Sequence, residues 1–171
     1  MKKSIFLLLL LLPVAIWAQT LNQKAPDEKR NNEMLVGYCN RDGFKTIHSN
    51  FDSVFQVEYA NFKPDKATLE QIPGKLKKLK VTVVMGTWCG DSKDWVPRFY
   101  KIMDQVGFDY NNLTLICVDH TKMAPVKNLA KLKIQKVPTF IFYHKKHELG
   151  RIVETPADLF EKDMLKILGK R

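Results

Sequence analysis

The sequence predicts an α/β domain with a mixed sheet of about four strands flanked by helices, preceded by an N-terminal helical extension. Two apolar segments rich in β-branched residues, 81–85 and 113–118, have the composition of strands buried on both faces. A helical pattern follows each of them. This strand–helix–strand rhythm indicates a parallel βαβ unit with a right-handed crossover. Two more apolar segments around a short polar turn predict an antiparallel hairpin that completes the sheet.

The residues before this domain divide into three parts. Residues 1–18 combine a basic start, an apolar run and a small-residue exit, the pattern of a secretory signal peptide cleaved near Ala18. The charged, polar segment 19–32 is typical of a flexible linker. Apolar residues at helical spacing predict an amphipathic helix over 47–59, and Asp65 is placed to cap a short second helix. Residues 33–79 are therefore expected to form a helical extension packed on the main domain.

The main domain is expected over residues 80–171. Its predicted elements are strands over 80–85, 113–119, 139–143 and 148–154 and helices over 92–105 and 124–132. Gly107 is a suitable end for the first helix. Thr155, Pro156 and Asp158 have the spacing of a cap, a first helical residue and a capping-box partner, so we expect a last helix to begin there.

The charge of the chain is strongly basic. The sequence carries 28 basic and 18 acidic residues, a net charge of +10, and removal of Lys2 and Lys3 with the signal peptide leaves +8. Nucleic-acid binding requires basic residues clustered with stacking aromatics, whereas these lysines are dispersed. The composition therefore favours a solvated basic surface on an exported, most simply periplasmic, protein, with no nucleic-acid partner.

Cys89 is the residue on which the functional prediction depends. It follows the first buried strand at the predicted start of a helix, where unpaired N–H groups and the helix dipole favour a thiolate over a thiol. Asp91 opposes this effect slightly, and Lys93 supports it if the ammonium points toward the sulfur. A reachable thiolate is the nucleophile of thiol–disulfide exchange.

The residues around Cys89 resemble the active site of the thioredoxin superfamily. Trp88 precedes the cysteine, Gly90 follows it, Pro97 lies eight residues later, and residues 136–140 are similar to the family's cis-proline loop. The resemblance covers residues 80 to the C-terminus and implies the thioredoxin fold. More narrowly, the chain resembles exported bacterial thioredoxin-like proteins that have a helical segment before this domain. It implies that Pro138 is cis, lies against Cys89 and lets the backbone of Val137 pair with an extended substrate. The substrate-binding residues it implies are Trp88, Gly90, Asp91, Val137, Pro138 and Thr139.

Two positions depart from the thioredoxin pattern. Ser92 stands where the second cysteine is expected, and Val83 stands where the family has a buried aspartate. The Ser92 hydroxyl can stabilise the Cys89 thiolate by a hydrogen bond or cap the helix, but it cannot displace a mixed disulfide. We therefore expect Cys89 and Ser92 to be the catalytic pair of a monothiol site. His120, at the end of a strand on the expected active-site side, is a candidate proton-transfer partner in place of the missing aspartate.

Two further cysteines have simpler interpretations. Cys117 lies within a buried-strand pattern and is expected to be an inert core residue. Cys39 lies in a Gly-containing polar stretch and is either a resolving thiol for Cys89 or a small buried residue. Nothing in the sequence brings it to Cys89, so we favour the second interpretation.

The leading hypothesis is an exported enzyme, a single-cysteine thioredoxin-like thiol–disulfide oxidoreductase. It would reduce or isomerise mixed disulfides, or trap client thiols. A second thiol or a thiol reductase would then release the substrate from Cys89. The alternative is a non-catalytic module that binds extended, cysteine-containing peptides. The four histidines are scattered and no cysteine pair has ligand spacing, so no metal site is predicted. We expect no cofactor, a monomer, and a mature form that does not span the membrane.

Overall fold

A six-stranded mixed sheet forms the centre of the computed structural model, which describes residues 20–170. The strand order is β1-β2-β4-β3-β5-β6. The strands are β1 Gln23–Asp27, β2 Asn32–Cys39, β3 Leu79–Met85, β4 Leu113–Cys117, β5 Thr139–His144 and β6 His147–Val153. The predicted signal peptide, residues 1–18, lies outside the described residues.

The predicted core of the sheet is confirmed. β3 pairs in parallel with β4, and the helix α3, Gly90–Gln105, connects them. β5 pairs antiparallel with both β3 and β6, so the expected hairpin is present and the sheet is mixed. Gly107 follows α3 with a φ of 69°, a conformation that glycine adopts without strain and that suits the end of a helix.

The segment predicted as a flexible linker instead contributes a strand. β1 pairs antiparallel with β2, and β2 pairs with β4, so the sheet has six strands rather than about four. β1 is an edge strand, so most of its side chains face solvent and its composition resembles that of a linker. Pro26 is tolerated there because an edge strand has one side without ladder hydrogen bonds.

Three helices lie outside the βαβ unit. α1 Phe51–Asn61 falls within the region predicted to be helical, and α2 Lys66–Leu69 is capped by Asp65, whose carboxylate accepts the N–H of Thr68 as predicted. The predicted helical extension thus begins with β2 and becomes helical only afterwards. α4 Phe160–Leu168 closes the described chain.

Two helix predictions in the second half were wrong. Residues 124–132 form only a 3₁₀ turn over Leu129–Leu132, because Asn128 just before it has a left-handed φ of 62°. α4 begins four residues later than expected, at Phe160 instead of Pro156. The carboxylate of Asp163 accepts the N–H groups of Ala157 and Asp158, so the capping box at Thr155 and Asp158 does not form.

The sheet carries apolar clusters on both faces. Val83 and Met85 of β3 face the main core beneath α1, α3 and α4, whereas Val84 faces a smaller cluster on the other side. Cys89 and Val137 belong to that smaller cluster. The site described below therefore lies at the end of β3 and against the second face of the sheet.

A carboxylate joins α1 to α3. Asp104 of α3 accepts hydrogen bonds from the hydroxyls of Tyr59 and Tyr110 at 2.7 and 2.6 Å, and Nη1 of Arg41 lies 3.0 Å from its Oδ2. The Arg41 guanidinium also lies over the rings of Tyr59 and Tyr100. Burial alone would raise the pKa of Asp104, but the hydrogen bonds from Tyr110, Tyr59 and Arg41 lower it below its ordinary value.

We expect Asp104→Asn to lower the free energy of unfolding by about 1–3 kcal/mol at pH 7, because the amide cannot serve three donors. A lowered folded-state pKa gives stability that is present above the ordinary pKa of about 3.9 and lost as the pH falls through the folded-state value. Urea unfolding between pH 7 and pH 3 should therefore show a flatter dependence in Asp104→Asn than in wild type. Asp94→Asn, at an exposed carboxylate on the same helix, is the matched control. Equal slopes in all three proteins would contradict the assignment.

Candidate active site

Cys89 occupies the predicted position at the start of α3. β3 ends at Met85, residues 86–88 form a turn, and Cys89 is the N-cap residue with extended backbone angles, φ −83° and ψ 132°. Its own N–H donates to the Gly86 carbonyl at 3.0 Å, and its carbonyl accepts the N–H of Lys93. The sulfur therefore stands at the end of the helix where the first N–H groups have no intrahelical partner.

The proline loop lies against the Cys89 sulfur. Sγ donates a hydrogen bond to the carbonyl of Val137 at 3.2 Å, and the Val137–Pro138 peptide bond is cis. Cys89 keeps only 9% of its surface exposed. A disulfide that approaches the sulfur must therefore enter between the helix start and the proline loop, and the thiol must release the Val137 carbonyl as it ionises.

Ser92 is fully buried one helical turn after Cys89. Its hydroxyl oxygen accepts the N–H of Gly86 at 3.3 Å, which ties the first turn of α3 to the end of β3. The Ser92 hydroxyl thus binds the turn that carries Cys89 rather than the sulfur. Thr87 in the same turn accepts the N–H of Leu35 from β2 at 3.1 Å, so the N-terminal segment also braces the turn.

Trp88 is fixed beside Cys89 by three neighbours. Its Nε1 donates to the Val118 carbonyl at 2.8 Å, and its ring stacks on the imidazole of His120 with centroids 4.2 Å apart. A Cβ at Gly86 would lie 2.5 Å from the indole, so only glycine lets the ring fold back over that position. His120, the candidate proton-transfer residue, therefore contacts the active-site turn through the ring of Trp88.

His120 is held on its other side by a residue that the sequence analysis did not single out. Nε2 of His120 lies 2.8 Å from Oδ1 of Asp27, the last residue of β1. Asp27 is 2% exposed. Its partner lies 93 positions away along the chain, and Asp27 is one of several charged residues in the polar segment 19–32, so no local pattern distinguishes it.

The side chain of Lys93 also contacts the N-terminal segment. Its ammonium donates to the Asn50 side chain at 2.6 Å. Burial lowers the pKa of Lys93, the charge of Arg30 lowers it further, and Cys89 and Asp27 act in the opposite direction. These four groups therefore share one electrostatic neighbourhood around the helix start.

Most of the chain matches a known protein family. The family model described as Thioredoxin matches residues 61–166, more than half of the chain. The chain belongs to the thioredoxin family. The match supports a thioredoxin-like redox role for the site, and with the mixed sheet and flanking helices it agrees with the predicted thioredoxin fold.

Solved structures and curated relatives resemble this thioredoxin-family protein more distantly. A protein of unknown function from Pseudomonas aeruginosa is 15% identical, with a TM-score of 0.54 over 77% of this chain and 90% of that one. Thioredoxin O2 from Arabidopsis thaliana is 19% identical, with a TM-score of 0.38 over 61% and 83%. Arginine–tRNA ligases from two strains of Ureaplasma parvum serovar 3 are 27% identical over 112 residues, 66% of this chain and 16% of the ligase. The chain thus spans about a sixth of the length of these ligases.

The other residues predicted for substrate binding follow Cys89 in the chain or belong to the proline loop that contacts its sulfur. Gly90 is exposed as the first residue of α3, and Asp91 follows it half-buried. Thr139 begins β5, where its hydroxyl donates to the Lys136 carbonyl at 2.7 Å and fixes the proline loop. Trp88 and Val137 pack in the same apolar cluster as Cys89, and the Val137 carbonyl is the group that contacts its sulfur.

Cys39 lies away from the candidate site, in the other apolar cluster. It pairs with Leu115 on the main-core face of the sheet, whereas Cys89 lies in the cluster on the other face. Its thiol donates to the Gly37 carbonyl at 3.5 Å and neighbours Cys117. Burial and the contact with Cys39 raise the pKa of the Cys117 thiol. The structure therefore does not bring Cys39 to Cys89 as a resolving thiol.

The described residues 20–170 contain neither a metal-binding cluster nor a membrane-spanning helix. Nowhere in this range do three or more His, Cys, Asp or Glu side chains come together in a way that could hold a metal ion. No helix in the same range is long and apolar enough to cross a membrane.

Proposed function

We propose that this thioredoxin-family protein is a thiol–disulfide oxidoreductase that works through Cys89 alone. The observation that carries the proposal is the position of the sulfur at the N-terminus of α3, in contact with the carbonyl of Val137. Ser92 occupies the position one turn later, and the other two cysteines lie on the opposite face of the sheet or in its core. Each catalytic cycle must therefore use a second thiol from outside the site.

The reaction has two steps. The Cys89 thiolate attacks one sulfur of a substrate disulfide, a new bond forms to Cys89, and the other substrate sulfur leaves as a thiolate. A second thiolate then attacks the mixed disulfide, releases Cys89 as a thiolate and carries away the first sulfur as a new disulfide. A substrate thiol in the second step gives isomerisation, whereas a small thiol or a thiol reductase gives net reduction.

The proline loop supplies a place for the substrate chain. The Val137 carbonyl lies 3.2 Å from the sulfur, Pro138 follows it through a cis peptide bond, and the loop leads into β5. An extended peptide that pairs with the backbone of Val137 would bring its own cysteine to Cys89 in the manner of an added strand. We therefore propose protein thiols and mixed disulfides as the substrate class.

Export belongs to the same proposal. Residues 1–18 have the pattern of a signal peptide, and an oxidising compartment is where protein disulfides form and need rearrangement. We propose a periplasmic protein that acts as a monomer on thiols and disulfides delivered by its clients. N-terminal sequencing of the mature protein tests this point, with Gln19 as the expected first residue.

The proposal is tested by alkylation of the native protein with iodoacetamide across a pH series, followed by capture of mixed disulfides. Cys89 should be labelled at neutral pH faster than a cysteine in an unstructured peptide, because the helix start favours the thiolate. Cys89→Ala should lose this labelling and all captured partners, because Cys39 and Cys117 lie on strands in the main core and neither stands at a helix start. Labelling of wild type at or below the rate of the peptide would reject the enzymatic role.

One observation favours a second candidate function. The Cys89 sulfur is largely covered and donates its hydrogen bond to Val137. A thiol held in this way suits a module that binds extended, cysteine-containing peptides without exchanging disulfides. Slow labelling of Cys89 together with retained binding of such a peptide by Cys89→Ala would support this alternative.

A further inference from the structure

The buried carboxylate of Asp27 requires an explanation. Burial of a charged group is costly unless it is paired and hydrogen-bonded. Asp27 lies at the end of β1 with 2% of its surface exposed, and its Oδ1 lies 2.8 Å from Nε2 of His120. An acidic residue in an edge strand has solvent close by, yet this one is directed inward at a histidine next to the active-site turn.

The imidazole is held in a defined orientation. One face of His120 lies on the indole of Trp88, at 4.2 Å and an interplanar angle of 25°. The indole is itself anchored to the carbonyl of Val118, two residues before His120. The His120 side chain retains 17% exposure, so solvent or a substrate can reach it. Because Nε2 is directed at Asp27, Nδ1 is the nitrogen left to exchange a proton at the site.

We infer that His120 is the proton donor and acceptor of thiol exchange at Cys89, and that Asp27 is the positioning residue that orients it. This inference rests on the proposed function. A nucleophile, a histidine and a carboxylate that fixes the histidine form an arrangement that recurs in covalent catalysis. Here the carboxylate comes from the N-terminal strand pair, and the position behind Cys89 in β3 is occupied by Val83 in the apolar core.

The proton balance of the two steps is complete. When the Cys89 thiolate attacks the substrate disulfide, the sulfur–sulfur bond breaks and the leaving thiolate takes a proton from the His120 imidazolium. In the second step, neutral His120 accepts the proton of the incoming thiol as that sulfur attacks the mixed disulfide. Cys89 is released as a thiolate and His120 is again protonated. The electrons come from the incoming thiol, so no further reductant is needed.

Charged groups of both signs lie around the pair. Burial alone would raise the pKa of Asp119, but hydrogen bonds from Thr121 and Met123 and the charge of His120 lower it. Lys93 and Arg30 supply positive charge from the helix start and from the turn after β1, and Asp91 adds a carboxylate on the first turn of α3. His120 is the imidazole of this set, with one ring nitrogen directed at Asp27 and the other left to exchange a proton.

The leaving group of the substrate provides a selective test. An aryl disulfide such as 5,5′-dithiobis(2-nitrobenzoate) releases a stable thiolate that needs no proton, whereas bis(2-hydroxyethyl) disulfide releases a basic alkyl thiolate that does. Rates of the first step, with no added thiol, are measured with both compounds at pH 7 for wild type, Asp27→Asn and His120→Gln, after subtraction of the Cys89→Ala background. Glu28→Gln makes the same charge change at an exposed residue one position after Asp27 and is the matched control.

We expect both variants to react about 100-fold more slowly with the alkyl disulfide and at nearly the wild-type rate with the aryl disulfide. Glu28→Gln should match wild type with both. Equal slowing with both disulfides would show a merely structural role for the pair, and unchanged rates with both would show no role; either result overturns the inference. Should Asp27→Asn fail to fold, His120→Gln decides the matter by the same comparison. If wild type reacts with neither disulfide, the proposed function fails first and the inference falls with it.

Discussion

Ser92→Cys should give the protein a turnover that the wild type lacks, the catalytic reduction of a stable disulfide such as that of insulin with dithiothreitol as the reductant. Residues three apart on a helix are neighbours, so a thiol at position 92 lies beside the Cys89 sulfur. The new thiolate would attack Cys89 in the mixed disulfide, release the substrate thiol and leave an internal disulfide. An intramolecular step of this kind replaces an encounter with a second molecule, and we expect turnover to rise by about 100-fold or more.

Two control variants isolate the effect of the new thiol. Ser92→Ala removes the hydroxyl that accepts the Gly86 N–H without adding a thiol, and it should show no gain. Asp91→Cys adds a thiol one position earlier, where residues two apart on a helix do not face each other, and it should gain little. A Ser92→Cys protein that is folded but no better than Ser92→Ala would mean that this position cannot serve as the resolving one.

Phe55→Ala should have the largest effect on stability. The ring is fully buried in α1, with the rings of Phe44, Tyr59 and Tyr100 at centroid distances of 5.5 to 6.0 Å. Truncation of a buried aromatic to alanine costs about 3–5 kcal/mol in transfer free energy and cavity. Urea unfolding followed by circular dichroism at pH 7 measures the change.

Val57→Ala is the matched control on the same helix, since Val57 is 56% exposed. It should change the unfolding free energy by less than about 0.5 kcal/mol. A small effect of Phe55→Ala, comparable with that of Val57→Ala, would mean that the contact between α1 and α3 does not stabilise the fold.

The elements that the sequence predicts well are those with a strong local signal. β3 and α3 were expected within two residues of their observed bounds, because a continuous apolar run and a polar turn separate strand from helix. The cap of α2 by Asp65 was expected for the same reason, since a capping residue acts three positions along the chain.

The elements that cannot be predicted from the local sequence depend on contacts with residues elsewhere in the chain. β1 has the polar composition of a linker and forms a strand because its backbone pairs with that of β2. The start of α4 depends on Asp163, whose carboxylate satisfies two N–H groups before the helix and displaces the expected cap at Thr155. Residues 124–132 have helical spacing, but the left-handed backbone at Asn128 separates them.

The candidate site divides in the same way. Cys89, Trp88 and Pro138 stand in short motifs that the sequence displays directly. His120 is recognisable only as the end of a strand on the correct side, and Asp27 has no sequence signal, because their pairing joins residues 93 positions apart.

The stretch shared with other thioredoxins begins at residue 61, yet much of what steadies this site lies upstream of that boundary. Leu35 donates to the turn before Cys89, Asn50 receives the Lys93 ammonium, and Asp27 meets His120. A fragment trimmed to the common stretch would keep every residue by which the protein is recognised and lose three of its supports. What distinguishes this molecule therefore includes supports that lie outside the stretch matched by the family model.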